Sequence, residues 1–210
     1  MSYISSDVRE YLSDAASGQS TPGGGSVSAL VGALAASMSE MAGNFTTGKE
    51  KYANVESEVN RLLSDLKRRR QKLLTLVDAD VEAYGEVDKA YAMPKETEEE
   101  KADRTTALQV ALGEAMKVPL NVMRQCAEIS KTSVRLAEIG NPNLITDVGV
   151  SAILADAACA AARLNVEINL KYIKSPETVG KTREEVDKLA EETSGARSQV
   201  SEKVSKHLSS

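Results

Sequence analysis

The sequence predicts an all-α fold, on three observations. Apolar residues recur at helical spacing along most of its 210 residues, and no stretch shows the strict alternation of a half-buried strand. Two segments, 26–46 and 147–172, are so rich in alanine, glycine and serine that they read as helices packed closely on other helices. The expected architecture is one domain over residues 1–210, a helical bundle with a buried small-residue helix at its centre.

Each element follows from a local pattern. Residues 4–17 place Ile4, Val8, Tyr11, Leu12 and Ala15 on one stripe, with Gly18 as the stop, which predicts a short amphipathic helix. Pro22 and three glycines, Gly23, Gly24 and Gly25, lead into the first small-residue helix, with Ser26 expected as its N-cap. Such glycines allow close approach to the backbone, and first-turn N–H groups would point into the turn. The turn is a candidate cradle for an anion or ligand, although tight packing alone would also account for it. No Lys-Ser/Thr follows as in a P-loop, and no strand precedes it as in a dinucleotide fold.

Residues 54–92 form a long amphipathic pattern through Val59, Leu66, Leu73 and Val77, with Lys67–Arg70 expected on a solvated face. Pro94 ends it. Thr97 and Glu100 make a capping box for a helix reaching about Glu138, with a kink expected at Pro119 and a stop at Gly140. Gly140-Asn141-Pro142-Asn143 reads as a turn, and Thr146-Asp147 as the cap of a helix over 147–173. Ser175-Pro176 is a break. Thr182 opens a last, charged helix over 183–206.

Composition narrows the function. A net charge of −5 and 3% aromatic residues argue against nucleic acid as a partner. Cys126 and Cys159 stand alone on predicted helices, as expected of a cytoplasmic protein with reduced thiols. The first residues lack the regions of a signal peptide, and Glu40 with many serines marks the central apolar run as core rather than a membrane span. The one histidine is His207, near the C-terminus, so a Ser-His-Asp triad or a multi-histidine zinc site is excluded. No metal is expected. Acid–base chemistry falls to Asp, Glu, Lys, Tyr or water.

Polar residues beside apolar stripes are the candidates. Asp80 and Tyr84 are four apart and share a helix face, where a partly buried carboxylate acts as a base or stabilises a cation. The alternative is a carboxylate on the rim of the stripe. Lys95 and Arg104 are surface cations by default. Asn165 and Asn169, also four apart, sit among large apolar residues and need hydrogen bonds, to another helix or to a ligand. Asp147 precedes Asn165 by about five turns, ~27 Å on a straight helix, so the two meet one ligand only if it is bent or if subunits adjoin. Two helices this poor in bulk exceed what a lone bundle buries, which predicts a homodimer or larger assembly.

Several motifs occur in order: Pro22-Gly-Gly-Gly-Ser-Val-Ser-Ala29, Asp80-Val-Glu-Ala-Tyr84, Ala92-Met-Pro-Lys95, Glu100-Lys-Ala-Asp-Arg104, Val118-Pro-Leu120, Gly140-Asn-Pro-Asn143, Asp147-Val-Gly149 and Asn165-Val-Glu-Ile-Asn169. Together, over about residues 4–175, they resemble the cyclodeaminase/cyclohydrolase family, which includes the C-terminal domain of formiminotransferase-cyclodeaminase. The resemblance implies an all-helical, dimer-forming domain acting on a one-carbon unit carried by tetrahydrofolate, with or without a polyglutamate tail, and with no other cofactor.

Two reactions are known in that family. The cyclodeaminase closes formiminotetrahydrofolate to 5,10-methenyltetrahydrofolate with loss of ammonia. The cyclohydrolase opens the methenyl compound to 10-formyltetrahydrofolate. On the resemblance, Asp80 is the expected base or cation stabiliser, with Tyr84 orienting it and Asp147 as a second catalytic carboxylate. Lys95 and Arg104 are expected on the glutamate tail. Gly23, Gly24, Gly25 and Ser26 would hold a carboxylate or the pterin edge, and Asn141, Asn165 and Asn169 the pterin. The chain carries no formiminotransferase segment, which tilts the expectation towards the cyclohydrolase. A non-catalytic folate-binding or scaffolding dimer is the reading from another class.

Overall fold

The computed structural model describes residues 2–209. Among them there are six α-helices and no strand: α1 Val8–Ala15, α2 Gly24–Asn44, α3 Glu56–Ala92, α4 Glu98–Ile139, α5 Ile145–Leu170 and α6 Pro176–Leu208. Short 3-10 turns at Tyr3–Ser5, Glu50–Tyr52 and Pro142–Leu144 complete the order. Helix α2 lies against α3, α4 and α5, and α6 covers α4 and α5.

Small residues set how closely α2 is held. A Cβ added at Gly32 would come within 3.1 Å of Leu73 on α3 and 3.2 Å of the Cys126 sulfur on α4. One at Gly43 would come within 2.7 Å of Leu63. Where α2, α4 and α5 converge, the fully buried hydroxyls of Ser39, Ser133 and Ser151 bond one another at 2.8–3.1 Å, and Ser151 donates to the Ala35 carbonyl. Bulkier side chains would force these helices apart; these three hydroxyls pair with one another, while the buried Ser130 hydroxyl nearby on α4 has no partner. The expected central helix is therefore present.

Several expected boundaries shift for local reasons. Helix α1 starts at Val8 because the Asp7 carboxylate accepts from the Arg9 N–H, and of its apolar stripe only Tyr11 is buried. Ile4, Val8 and Leu12 face outward instead. Helix α2 starts two residues before Ser26, with Gly23 as its N-cap. The Thr21–Pro22 peptide ahead of it is cis. Helix α5 likewise starts before Thr146 and Asp147, so neither is its cap. The Ser175-Pro176 break is the start of α6, where the Ser175 hydroxyl accepts from the Thr178 N–H and Pro176 takes the first position.

Other expectations stand or fall more simply. The capping box at Thr97 and Glu100 is complete in both directions. Helix α4 runs unbroken through the buried Pro119. The basic run on α3 is only half solvated. The Arg70 guanidinium donates twice to Glu40, at 2.6 and 3.1 Å, and Arg69 reaches Asp65, Gln125 and Glu128. These pairs tie α3 to α2 and α4 beside the buried Leu66 and Leu73. Helix α5 with its preceding turn is apolar and long enough to cross a membrane by length and composition. Here it packs against α2, α4 and α6.

Gly32→Val tests the close approach of α2. Two added methyls against Leu73 and Cys126 overpack the crossing by about 1–3 kcal/mol. Thermal unfolding should fall by roughly 2–4 °C per kcal/mol for a chain of this size. A variant as stable as the parent would show that the crossing has room to spare.

Candidate active site

At one end of the bundle a cleft of about 320 Å³ opens between the start of α2, the second half of α3, the middle of α4 and the end of α5. Its chemistry starts from an uncapped helix. Helix α2 begins on glycine, and Gly23 has no side chain to accept from the first-turn N–H groups. The Asp80 carboxylate on α3 does so from outside: the Ser26 N–H donates to Asp80 Oδ2 at 2.9 Å. Gly25 makes this possible. A Cβ there would stand 2.0 Å from Asp80 Oδ1, so only glycine lets the carboxylate lie on the helix end.

Two effects oppose each other at Asp80. Desolvation in the cleft disfavours its charge, and the Ser26 N–H favours it; desolvation is the larger, and the carboxyl is held above the ordinary aspartate range. No other lining residue is a carboxylate or a cation. Such a group takes and returns a proton closer to neutrality than a solvated aspartate would.

The floor of the cleft carries two amides. Asn165 Nδ2 donates to the Ala161 carbonyl at 2.9 Å and Asn169 Nδ2 to the Asn165 carbonyl at 2.8 Å, which fixes both side chains along α5. Each amide keeps its second N–H, and neither Oδ1 accepts a bond among the described residues, so donor and acceptor are both left for a ligand. Gly24 faces Asn165 closely, with 3.0 Å from an added Cβ to Nδ2. Leu112, Ala115 and Val87 supply an apolar wall, and Tyr84, Tyr91 and Tyr172 stand half-exposed at the cleft.

Helix α4 braces two of these tyrosines by their backbones. Arg104 donates through Nε and Nη2 to the Tyr91 carbonyl, at 3.2 and 3.1 Å, and its guanidinium lies 5.6 Å from the centre of the Tyr91 ring. Gln109 donates to the Tyr172 carbonyl at 2.9 Å and accepts from the Lys174 N–H at 2.7 Å. Tyr91, Tyr172, Leu112 and Ile168 are among the cleft residues that sequence reasoning missed. One signal pointed to them: the chain has six tyrosines, one phenylalanine and no tryptophan, so exposed tyrosines near Asp80 and Asn169 were unusual.

The structure brings Asp80, Tyr84, Gly23, Gly24, Asn165 and Asn169 into this cleft. The other expected site residues lie elsewhere. Gly25 and Ser26 are buried under Asp80 rather than on the surface of the cleft. Asp147 is in the first turn of α5, at the far end of that helix from Asn165, and does not line the cleft. Asn141 is buried at the same far end and spent on structure: its side chain accepts from Tyr52 and Asn143 and donates to the Phe45 carbonyl. Lys95 is exposed beyond the end of α3, and Arg104 is used on Tyr91. What orients Asp80 is the Ser26 N–H; no hydrogen bond joins it to Tyr84.

Comparison with known proteins decides the family. Residues 7–188 match the model of the family described as formiminotransferase-cyclodeaminase. The chain belongs to the formiminotransferase-cyclodeaminase family. It is 36% identical, over 94% of its length and 95% of the relative's, to the methenyltetrahydrofolate cyclohydrolase of Methylorubrum extorquens. It is 32% identical to the formimidoyltransferase-cyclodeaminase of Rattus norvegicus, covering 91% of this chain and 35% of that longer protein. Among solved structures, the formiminotetrahydrofolate cyclodeaminase of Thermotoga maritima superposes with a TM-score of 0.87 at 36% identity, covering 97% of this chain and 98% of that one.

The Asp80 environment has a consequence for stability within this family member. A carboxyl whose folded pKa is raised favours the fold at pH values below its unfolded pKa and loses that contribution as pH rises through the folded pKa. At pH 8 the charged, desolvated Asp80 is therefore a burden. Asp80→Asn, which retains an oxygen acceptor for the Ser26 N–H, should unfold at a higher temperature than the parent at pH 8. The gap should narrow below pH 4. Calorimetry giving a less stable variant at pH 8 would contradict the raised carboxyl.

Proposed function

We propose that this protein opens 5,10-methenyltetrahydrofolate to 10-formyltetrahydrofolate, with Asp80 as the proton carrier. The observation that supports this most is the lone carboxylate, desolvated yet oriented by the Ser26 N–H, in a cleft that is otherwise uncharged. The cyclohydrolase from Methylorubrum extorquens aligns with this chain along 95% of its own length.

In this reading the cationic bridging carbon between N5 and N10 sits against Asp80, whose negative charge stabilises it. Asp80 removes a proton from an attacking water as the C–O bond forms, giving a tetrahedral adduct. The same proton then passes to N5 as the N5–C bond breaks. The hydroxyl proton leaves to solvent as the formyl C=O forms, so atoms and charge balance. Asn165 and Asn169 meet the donors and acceptors of the pterin, and Tyr91 and Tyr172 give flat apolar faces to its aromatic parts. The reaction draws on no cofactor beyond the folate itself.

A second reading has specific support in the Thermotoga maritima relative, a formiminotetrahydrofolate cyclodeaminase. There N10 would attack the formimino carbon on N5 and ammonia would leave. The same carboxylate serves both reactions, since each passes through a tetrahedral carbon between the two nitrogens.

We also propose that the protein is a homodimer joined through α2 and α5. Val27, Leu34, Met41 and Phe45 on α2 and Val150, Ile153, Leu164 and Ile168 on α5 are all exposed, between 37% and 72%. Each set falls on one stripe, and the two helices are neighbours, an arrangement of exposed apolar side chains that marks an interaction surface.

Three measurements test these proposals. Purified protein should speed the loss of near-ultraviolet absorbance of methenyltetrahydrofolate over the uncatalysed rate, and release no ammonia from the formimino compound. The reverse pattern would establish the cyclodeaminase, and neither activity would leave a binding module. Asp80→Asn should lower kcat by about 10²–10⁴-fold, and Tyr91→Ala should act mainly on KM. Light scattering at micromolar concentration should give twice the 22.4 kDa chain mass, and Leu34→Asp should give the monomer; a monomeric parent would refute the dimer.

A further inference from the structure

Ser26 is bonded on both sides. Its N–H holds Asp80, and its hydroxyl, fully buried, meets the Tyr11 hydroxyl at 3.0 Å. Tyr11 is 5% exposed and is the one buried residue of α1. Its ring stands edge-on to Tyr3, with centroids 5.3 Å apart. The rest of α1 is loosely attached, since Val8 and Leu12 face outward. The segment is fastened at two points only a few residues apart in the fold. The Ser2 hydroxyl and Tyr3 N–H donate to Asp78 on α3, and Tyr11 meets Ser26 at the start of α2.

We propose that Tyr11 is a positioning residue for Asp80, acting through Ser26. The phenol fixes the Ser26 hydroxyl, and with it the rotation of the first turn of α2 that aims the Ser26 N–H at the carboxylate. The alternative for a serine hydroxyl in a helix is a bond to the carbonyl one turn back, which bends the helix locally. With the Ser26 hydroxyl donating to the Tyr11 phenol, that option is withheld at the one turn whose N–H is needed elsewhere; with Tyr11 donating, the phenol still fixes the position of the Ser26 oxygen. The proposal deepens the reading of Asp80 as proton carrier and rests on it for its effect on turnover, but not for its effect on Asp80 itself.

The surroundings of Asp80 make the effect readable. The titrating groups near it are phenols: Tyr11 from α1, Tyr84 and Tyr91 from α3, and Tyr172 beyond α5. Helices α2, α4 and α5 present glycine, leucine, alanine, isoleucine and asparagine to the cleft. Burial and the Asp80 charge both push the Tyr11 phenol up, so it stays neutral at working pH and its deprotonation does not enter. A change in the Asp80 titration on altering Tyr11 therefore reports geometry.

The test uses Tyr11→Phe, which keeps the ring and its contact with Tyr3, and Ser26→Ala, which keeps the backbone N–H. In each, the Asp80 carboxyl, followed by carbon-13 NMR, should titrate about half to one pH unit higher than in the parent, as a loosened hydrogen bond to the charged form requires. The acidic limb of the kcat profile should move by the same amount, and kcat at a pH on that limb should fall about 3–10-fold, with KM within about twofold. Combining the two changes should add nothing to either alone. If both variants merely melt earlier, with the Asp80 titration unmoved, or if their shifts add, the proposal is overturned. Should the titration move while Asp80→Asn retains turnover, the proposal holds and the catalytic reading of Asp80 fails. If Tyr11→Phe does not fold, Ser26→Ala alone decides.

Discussion

The fold and the cleft both depend on one bond, from the Ser26 N–H at the start of α2 to the Asp80 carboxylate on α3. A helix end buried in a bundle needs partners for its N–H groups, and α2 starts on glycines that supply none. The partner comes from another helix, and this fixes three things together. Position 25 has to be glycine, because any Cβ would occupy the place of Asp80 Oδ1. Helices α2 and α3 have to run close together, which the small residues at 32 and 43 allow. A carboxylate has to enter a desolvated cleft, where it becomes both a liability for stability and a usable proton carrier.

The helical bundle was legible because its signals are local or periodic. The capping box at Thr97, the stop at Gly140 and the small-residue faces of α2 and α5 require no knowledge of distant contacts. What misled were positions where a cap has two possible sources. Ser26 and Thr146-Asp147 look like N-caps, yet the helices start earlier, at Gly24 and Ile145, because Asp80 serves one start and the short turn from Pro142 runs directly into the other. The basic run 67–70 likewise looked solvated, since a sequence does not show that Glu40 lies opposite Arg70.

The site was legible in part, for a related reason. Asp80, Tyr84, Asn165 and Asn169 were found because polar side chains beside apolar stripes stand out in one dimension. Asn141 stands out equally, and there the structure uses the same chemistry for holding a turn: its amide joins Tyr52, Asn143 and the Phe45 carbonyl. Asp147 shares a helix with Asn165, but the length of α5 keeps the two at opposite ends of the bundle. Arg104 was read as a ligand for an anion; the structure places it outside the cleft lining and gives two of its five N–H donors to the Tyr91 carbonyl. Composition made the tyrosines stand out, but Tyr91 and Tyr172 belong to the site because α3 and α5 end at the same cleft.

The most direct measurement is a crystal structure with a tetrahydrofolate analogue carrying a stable one-carbon bridge between N5 and N10. The bridging carbon should lie close enough to Asp80 for one water to touch both, with oxygen-to-oxygen separation of about 3 Å, and with the Ser26 N–H still on the other carboxylate oxygen. The pterin should meet the amides of Asn165 and Asn169. An analogue bound with its bridge at the far side of the cleft, or in a different part of the bundle, would contradict the account.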